Sequence, residues 1–455
     1  MSDIDCEATI CDIYFTTQEM KRIFSDRNRV QKQMDCEAAL AETEAELGII
    51  PQAAAEEIVR KSKVEYLDFA QLKEAMVRTG HPLIPLIQAY KSICAEDAGE
   101  YVHWGATTQD MMDTAVVLQL REAYSVLMDG FDRLYRVLAE QAWRYKDQVM
   151  VGRTNGQHAM PITLGYKLSV WGFEVRDNID RLREAERRVF KGEFAGAVGT
   201  LASLGEQGLR VQQGFLMRLG LQVPPVAWSS SRNHYAEMVN DLAIMAATMG
   251  KIGTEVYALQ KSEIGEVEEP QRENAVGSST MPHKRNPFRA MELSTNAKLA
   301  RGCAAVMMES LETEHERDPR SACVENALFV QIFSLLHASV ERAIFIMQGL
   351  VVNPKHMQRS LEALHGLIFS EALMMALGRR LGRQSAHEIL HELSMQAFAQ
   401  EIPLAELLKA DGRVNQVLTA QEIDAIMRPE GYVGQAPFFA AQLKRQADAY
   451  FAAKK

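Results

Sequence analysis

The fourteen prolines of this chain are so unevenly placed that the gaps between them set the architecture. None falls between Pro85 and Pro161, between Pro161 and Pro224, between Pro225 and Pro270, or between Pro319 and Pro354. A proline inside a helix removes a backbone donor and clashes with the preceding turn, so such intervals leave room for long helices. Ala, Leu, Met, Glu, Gln, Lys and Arg dominate them, and all are good helix formers. In 115–142, Ala115, Leu118, Leu120, Ala123, Leu127 and Leu134 recur at roughly helical spacing. Segments 164–190, 234–262 and 322–350 behave alike. A helix of about 35 residues runs about 50 Å at the standard rise. Alternating strand patterns are almost absent. The expected fold is all-α, built on a bundle of unusually long helices.

Three sections are expected along the chain. An N-terminal helical domain, 1–110, holds shorter helices with a break at Gly80-His81-Pro82. The long-helix bundle occupies 111–355. A C-terminal helical domain, 356–455, has a polar turn at 428–436 before a final helix. The apolar faces of the long helices are too broad for a simple coiled-coil seam, which suggests burial on several sides, partner subunits included.

Composition narrows the function classes. The chain has 455 residues, enough for a large core, with 47% hydrophobic and 24% charged residues, as in ordinary globular proteins. A net charge of −10 gives no support to nucleic-acid binding, so an anionic substrate would need a local basic pocket. No apolar run approaches eighteen residues and the N-terminus carries no secretory pattern, so neither a membrane span nor a signal is expected. The six cysteines are scattered without zinc-ligand spacing, and no cofactor fingerprint is visible. The expectation is a cytoplasmic protein with no metal and no cofactor.

Three polar segments stand apart from the helical pattern. Residues 277–287 read Gly-Ser-Ser-Thr-Met-Pro-His-Lys-Arg-Asn-Pro. This composition suits a mobile loop that closes over an anion and brings a hydroxyl with it; a solvated basic turn before a helix fits it equally well. Residues 101–110 read Tyr-Val-His-Trp-Gly-Ala-Thr-Thr-Gln-Asp. Here Thr107, Thr108 and Gln109 can bind a carboxylate at a helix N-terminus, or Thr108 or Asp110 can simply cap the helix. Residues 152–161 read Gly-Arg-Thr-Asn-Gly-Gln-His-Ala-Met-Pro. Arg153, Thr154, Asn155, Gln157 and His158 form either part of a site or a polar knot tying helices together.

In this order the three segments resemble the conserved regions of the fumarase/aspartase superfamily, whose signature loop reads Gly-Ser-Ser-x-Met-Pro-x-Lys-x-Asn-Pro. His283 and Arg285 resemble the branch that holds adenylosuccinate lyase and 3-carboxy-cis,cis-muconate cycloisomerase. The 101–110 segment and 197–205 (Ala-Val-Gly-Thr-Leu-Ala-Ser-Leu-Gly) are closest to the cycloisomerase, and the chain beyond 360 is similar to the branch's C-terminal domain. The resemblance implies a homotetramer with sites shared by three subunits, acting on a small dicarboxylate or tricarboxylate. It implies proton removal beside a carboxylate and expulsion of a group from the neighbouring carbon. Ser278 resembles the general base, with Lys284 as its cationic partner. Lys284 and Asn286 match positions that hold substrate carboxylate. Thr107, Thr108 and Gln157 match positions that grip the substrate. Gln109, Arg153, Asn155, Arg232, Ser279, Met281 and Arg317 complete the candidate binding set, and His158 is counted with the catalytic candidates.

The chain also departs from the pattern. Many members carry Thr-His where Thr154-Asn155 stands, and in adenylosuccinate lyase that His serves as general acid. Asparagine cannot play that part. His158 occupies a different place in the motif, and a packed, hydrogen-bonded role fits it as well. His315-Glu316-Arg317-Asp318 resembles adenylosuccinate lyase, but Glu325 has lost the His it would orient; a substrate amine or an arginine is its expected partner. The phosphate-binding arginines of adenylosuccinate lyase are depleted: Tyr14-Phe15-Thr16-Thr17-Gln18-Glu19-Met20 and Gly80-His81-Pro82 replace them, and Ser231-Arg232-Asn233-His234 retains one arginine. The leading expectation is a C–N lyase that splits an N-substituted aspartate into fumarate and an amine. A muconate-type cycloisomerase, adenylosuccinate lyase and an inactive structural homologue are the alternatives.

Overall fold

The computed structural model describes residues 12–271, 278 and 280–454. It is 71% helical, so the all-α expectation holds. The helices that matter below are α1 (Asp26–Glu46), α2 (Thr108–Arg144), α3 (Leu164–Val189), α4 (Asn233–Leu259), α5 (Phe288–Glu309), α6 (Pro319–Gln348) and α7 (Arg383–Gln400). Three of these, α3, α4 and α6, lie within three residues of their expected limits, and α2 begins seven residues earlier than expected. The fifth long helix, α5, fills another proline-free interval, 288–318, where exposed Met291, Leu299 and Val306 blur the contrast between an apolar and a polar face. At 37 residues, α2 runs about 56 Å.

The helix starts are set by local chemistry. The Ser25 side chain accepts the Asn28 amide before α1. Thr163 does the same for Tyr166 before α3. Asp318 accepts the Arg320 amide while Pro319 takes the first helical position of α6, where its missing N–H costs nothing.

Contacts between Cα atoms group the chain into two compact units. The first comprises 1–130, 178–247 and 295–340, and the second 131–177, 248–294 and 341–455, so each of α2 to α6 contributes to both, whereas α1 lies in the first alone. In the first unit, Tyr124 on α2 bonds Glu186 on α3 at 3.2 Å, Arg188 on α3 pairs with Glu237 on α4, and Cys303 on α5 meets Gln331 on α6 at 3.3 Å. In the second, Lys167 on α3 pairs with Glu255 on α4 at 2.6 Å and Arg133 on α2 with Glu341 on α6. The helices therefore lie side by side. Gly253 permits a close approach, because a β-carbon there would sit 2.5 Å from the Ala290 carbonyl at the start of α5. Helix α6 is long and apolar enough to cross a membrane by composition, but 72% of its apolar window is buried in the protein. Its apolarity is that of a core helix.

Two small antiparallel sheets accompany the helices. Strand β1 (Val149–Thr154) pairs with β2 (Gln157–Thr163), Thr154 opposite Gln157. The two residues between them, Asn155 and Gly156, have φ of 51° and 79°. Two successive positive φ values make the tight hairpin turn whose twist matches the strands, and Asn-Gly is its preferred sequence. The pair β3 (Val267–Glu268) and β4 (Val351–Val352) closes the second unit's other strand contact. Beyond residue 360, Leu361, Phe369, Leu373, Leu390, Leu404 and Ile423 share an apolar core into which Val151 of the hairpin also packs.

Candidate active site

In the first unit the 101–110 segment is held from below by its own aspartate. The Asp110 carboxylate, fully buried, accepts the amides of Thr107 at 3.0 Å, Ala195 at 3.0 Å and Gly196 at 3.1 Å. One side chain therefore caps α2 and fastens the 195–205 loop. Burial raises the Asp110 pKa against these three donors. Gly105 has no room for a side chain, since a β-carbon would meet Leu204 at 2.6 Å. Arg317 donates to Thr107 Oγ1 at 3.2 Å, which brings two of the expected binding residues together. Thr108 follows on the first turn of α2, and Gln109 is buried.

Arg232, expected to hold an anion of the substrate, holds two anions of the protein. Its guanidinium pairs with Asp113 on α2 at 2.8 Å and Glu325 on α6 at 2.6 Å, and none of the three side chains is more than 5% exposed. Glu325, left without its histidine client, thus has the arginine as its partner. Burial works against the charged guanidinium, but the two carboxylates outweigh it and raise its pKa, so the charge stays. Thr17, in the stretch that replaces an arginine-rich one, caps a short helix and meets His337 Nδ1 at 2.8 Å.

Sequence reasoning did not single out the acids on α1. Glu37 Oε1 lies 2.7 Å from His103 Nδ1 in the same 101–110 segment. Burial opposes the charge on His103, but Glu37 prevails and raises its pKa. Two helical turns further along, Glu44 is fully buried, and among the described residues neither of its carboxylate oxygens has a partner. Burial, helped by the charge of Glu37, pushes Glu44 up to about 9 from the ordinary 4.5. The folded chain keeps a proton that the unfolded chain releases above pH 4.5. Stability is therefore full below that pH and falls toward pH 9 by about 1.4 kcal/mol per unit while the difference lasts. Glu193, pushed up to about 8 by burial, acts in the same sense. Glu44→Gln is expected to gain about 1–3 kcal/mol on the parent between pH 7 and pH 9. Denaturant melts across that range will show it, and parallel curves for the two proteins would refute the assignment.

In the second unit, the hairpin and the root of the 277–287 loop share an ion pair. Arg153 on β1 makes two hydrogen bonds to fully buried Glu266, at 3.0 and 2.7 Å, immediately before β3. His158 stands opposite Arg153 in the hairpin, and its Nδ1 has no partner among the described residues. Burial and then the neighbouring Arg153 lower its pKa, so this imidazole is neutral near pH 7 and a weak proton donor. Asn155 and Gln157 flank the exposed hairpin tip.

The loop is fastened at its neck. Gln260 accepts the Glu269 amide at 2.8 Å and donates to the Arg285 carbonyl at 3.1 Å. Arg285 pairs with Glu268 at 3.1 Å, and the Glu269 carboxylate caps α5 through the amides of Arg289 and Ala290. Within the loop, Ser278 Oγ accepts the amides of Met281 at 3.1 Å and Thr280 at 3.4 Å. Two N–H dipoles aimed at one hydroxyl oxygen favour its ionised form. Among the described residues no carboxylate pairs with the exposed Lys284 ammonium, in contrast to its neighbour Arg285. Asn286 closes a turn into α5 through its carbonyl and the Phe288 amide, and Met281 is 44% exposed. Ser279 lies outside the described residues. Among those described, no group of three or more metal-ligating side chains occurs.

Residues 13–302 match the family model described as Lyase, and residues 366–443 match that described as Adenylosuccinate lyase C-terminus. The chain is 40% identical to an N-acetyl-S-(2-succino)cysteine lyase of Dickeya dadantii, over 95% of each chain. It is 39% identical to a 3-carboxy-cis,cis-muconate cycloisomerase of Pseudomonas aeruginosa, over 96% of this chain and 95% of that one. The crystal structure of a 3-carboxy-cis,cis-muconate lactonizing enzyme from Pseudomonas putida superposes with a TM-score of 0.91 at 34% identity, covering 97% of this chain and 99% of that one.

Proposed function

We infer the activity from one premise: the chain belongs to the fumarase/aspartase superfamily, also called the fumarate lyases, and is an enzyme of that superfamily. The proposed reaction is a β-elimination on a succinyl thioether, which splits its C–S bond to release fumarate and a thiol. The observation that carries this reading is Asn155 at the tip of the hairpin, with neutral His158 behind it. An amine leaves an N-substituted aspartate only with a proton, because its anion is far too basic. A thiol ionises near pH 8.5, so a thiolate departs without an acid. The C–S lyase among the relatives is in keeping with this, and the substrate class is a cysteine or N-acylcysteine carrying a 2-succinyl group on sulfur. The C–N cleavage expected from the sequence is the second reading.

In the proposed mechanism, ionised Ser278, supported by two loop amides, takes the proton beside a carboxylate. Charge on that carboxylate doubles as the proton leaves. The Lys284 ammonium and the Asn286 amide meet it there, where donors strengthen as charge builds. Thr107, Thr108, Gln109 and Gln157 hold the second carboxylate, with Arg317 orienting Thr107. Exposed Ile244 on α4 and Leu299 and Val306 on α5 are apolar surface that a homotetramer would bury, each site being completed by residues of three subunits. A cytoplasmic location belongs to the same reading.

A matched panel tests the proposal, with fumarate followed by its ultraviolet absorbance. Succinyl thioethers of cysteine and N-acetylcysteine are expected to exceed the corresponding N-substituted aspartates in kcat/KM by about 10²–10⁴, the usual worth of acid assistance. Equal turnover of the amines would favour the second reading, and lactone formation from 3-carboxymuconate would favour the cycloisomerase.

A further inference from the structure

Far along the chain, residues 387–391 read His-Glu-Ile-Leu-His on α7. This helix buries Ala386, Ile389, Leu390, Leu393 and Ala397. That stripe turns His387 and His391, one helical turn apart, to the exposed side. Their rings stack, with centroids 6.1 Å apart and planes 2° from parallel. Among the described residues neither imidazole is held by a hydrogen bond or an ion pair. Glu392, beside them, is paired with Arg413 at 2.9 Å. Glu388 is exposed and lies next to His391 around the helix.

We propose that His387 and His391 form a two-point seat on α7 for a divalent late transition metal, Zn²⁺ or more tightly Cu²⁺. Two imidazoles four residues apart lie on one face of a helix and can ligate one metal ion, each nitrogen at about 2.0–2.1 Å from it. Imidazole selects zinc, copper and nickel, with copper bound most tightly, whereas Mg²⁺ and Ca²⁺ require oxygen donors. Glu388 is placed to accept a hydrogen bond from metal-bound water. Arg383, one turn before His387, opposes the cation but is exposed and screened by solvent. The same His-Glu-x-x-His spelling occurs in zinc peptidases, where a third protein ligand completes the site. Here no group of three ligands exists among the described residues, so water fills the remaining positions and the seat is one for binding, without a peptidase's chemistry.

Calorimetric titration of the full chain, without a histidine tag, tests this with CuCl₂, ZnCl₂ and MgCl₂. One copper or zinc per chain is expected, and no magnesium. His387→Ala and His391→Ala are each expected to weaken binding at least tenfold, while His81→Ala, elsewhere on the surface, leaves it unchanged. Zinc is also expected to raise the Tm of the parent and of His81→Ala but not of the other two variants, whose own melts without metal verify that they fold. Unchanged binding in His387→Ala and His391→Ala, or no binding in the parent, overturns the proposal.

Discussion

Ser278→Ala is expected to lower kcat by about 10²–10⁴-fold, the range associated with removing a positioned proton acceptor, while leaving the fold intact. The hydroxyl is the one oxygen in the described part of the loop that receives two backbone amides, from Thr280 and Met281. A serine is a feeble base until something stabilises its anion, and in the proposed mechanism the two N–H dipoles do so without moving during the reaction. Alanine removes the oxygen but leaves the amides at an exposed surface where water can satisfy them. Stability should therefore change by no more than about 0.5 kcal/mol. Stopped assays of fumarate release, with thermal melts alongside, separate the two effects. Near-parental kcat would remove Ser278 from the base role and with it the central step of the proposed mechanism.

The second large effect falls on stability. Arg232→Ala is expected to destabilise the protein by about 3–5 kcal/mol, because it strands Asp113 and Glu325 without a counter-charge. Both carboxylates are buried, and each now accepts at least two hydrogen bonds from the guanidinium. Burial already raises the Glu325 pKa against the pull of Arg232, so loss of the arginine would force protonation. Combining it with Glu325→Gln should restore part of the loss. Were Arg232 chiefly a grip for substrate, the single variant would melt like the parent and fail in KM instead. Equilibrium denaturation and KM together tell these outcomes apart.

The legibility of the chain in its sequence differs from element to element. Helices α2, α3, α4 and α6 could be read because proline gaps and apolar recurrence are local properties, repeated over many turns. Helix α5 was harder, since Met291, Leu299 and Val306 stand exposed on it and blur the contrast between faces. The hairpin was missed although Asn155-Gly156 is a strong turn signal, because its strands carry Gly152, Arg153 and His158 where alternation would call for apolar residues. The candidate site was legible as three motifs. Its internal wiring was not: nothing in the order of residues pairs Arg153 with Glu266, or His103 with Glu37.

The sequence by itself determined the helical class, the three polar segments and, through their resemblance to known proteins, the superfamily. Local propensity and short motifs suffice for these, because each depends on residues near one another in the chain. Only the tertiary structure decided that Arg232 is bound to Asp113 and Glu325, 119 and 93 residues away. It likewise decided that Asn155 occupies a left-handed turn residue and that the loop is fastened at its neck by Gln260, Glu268 and Glu269. Charges buried at long sequence separation must find partners or keep their protons, and which partner is found depends on how the helices lie side by side.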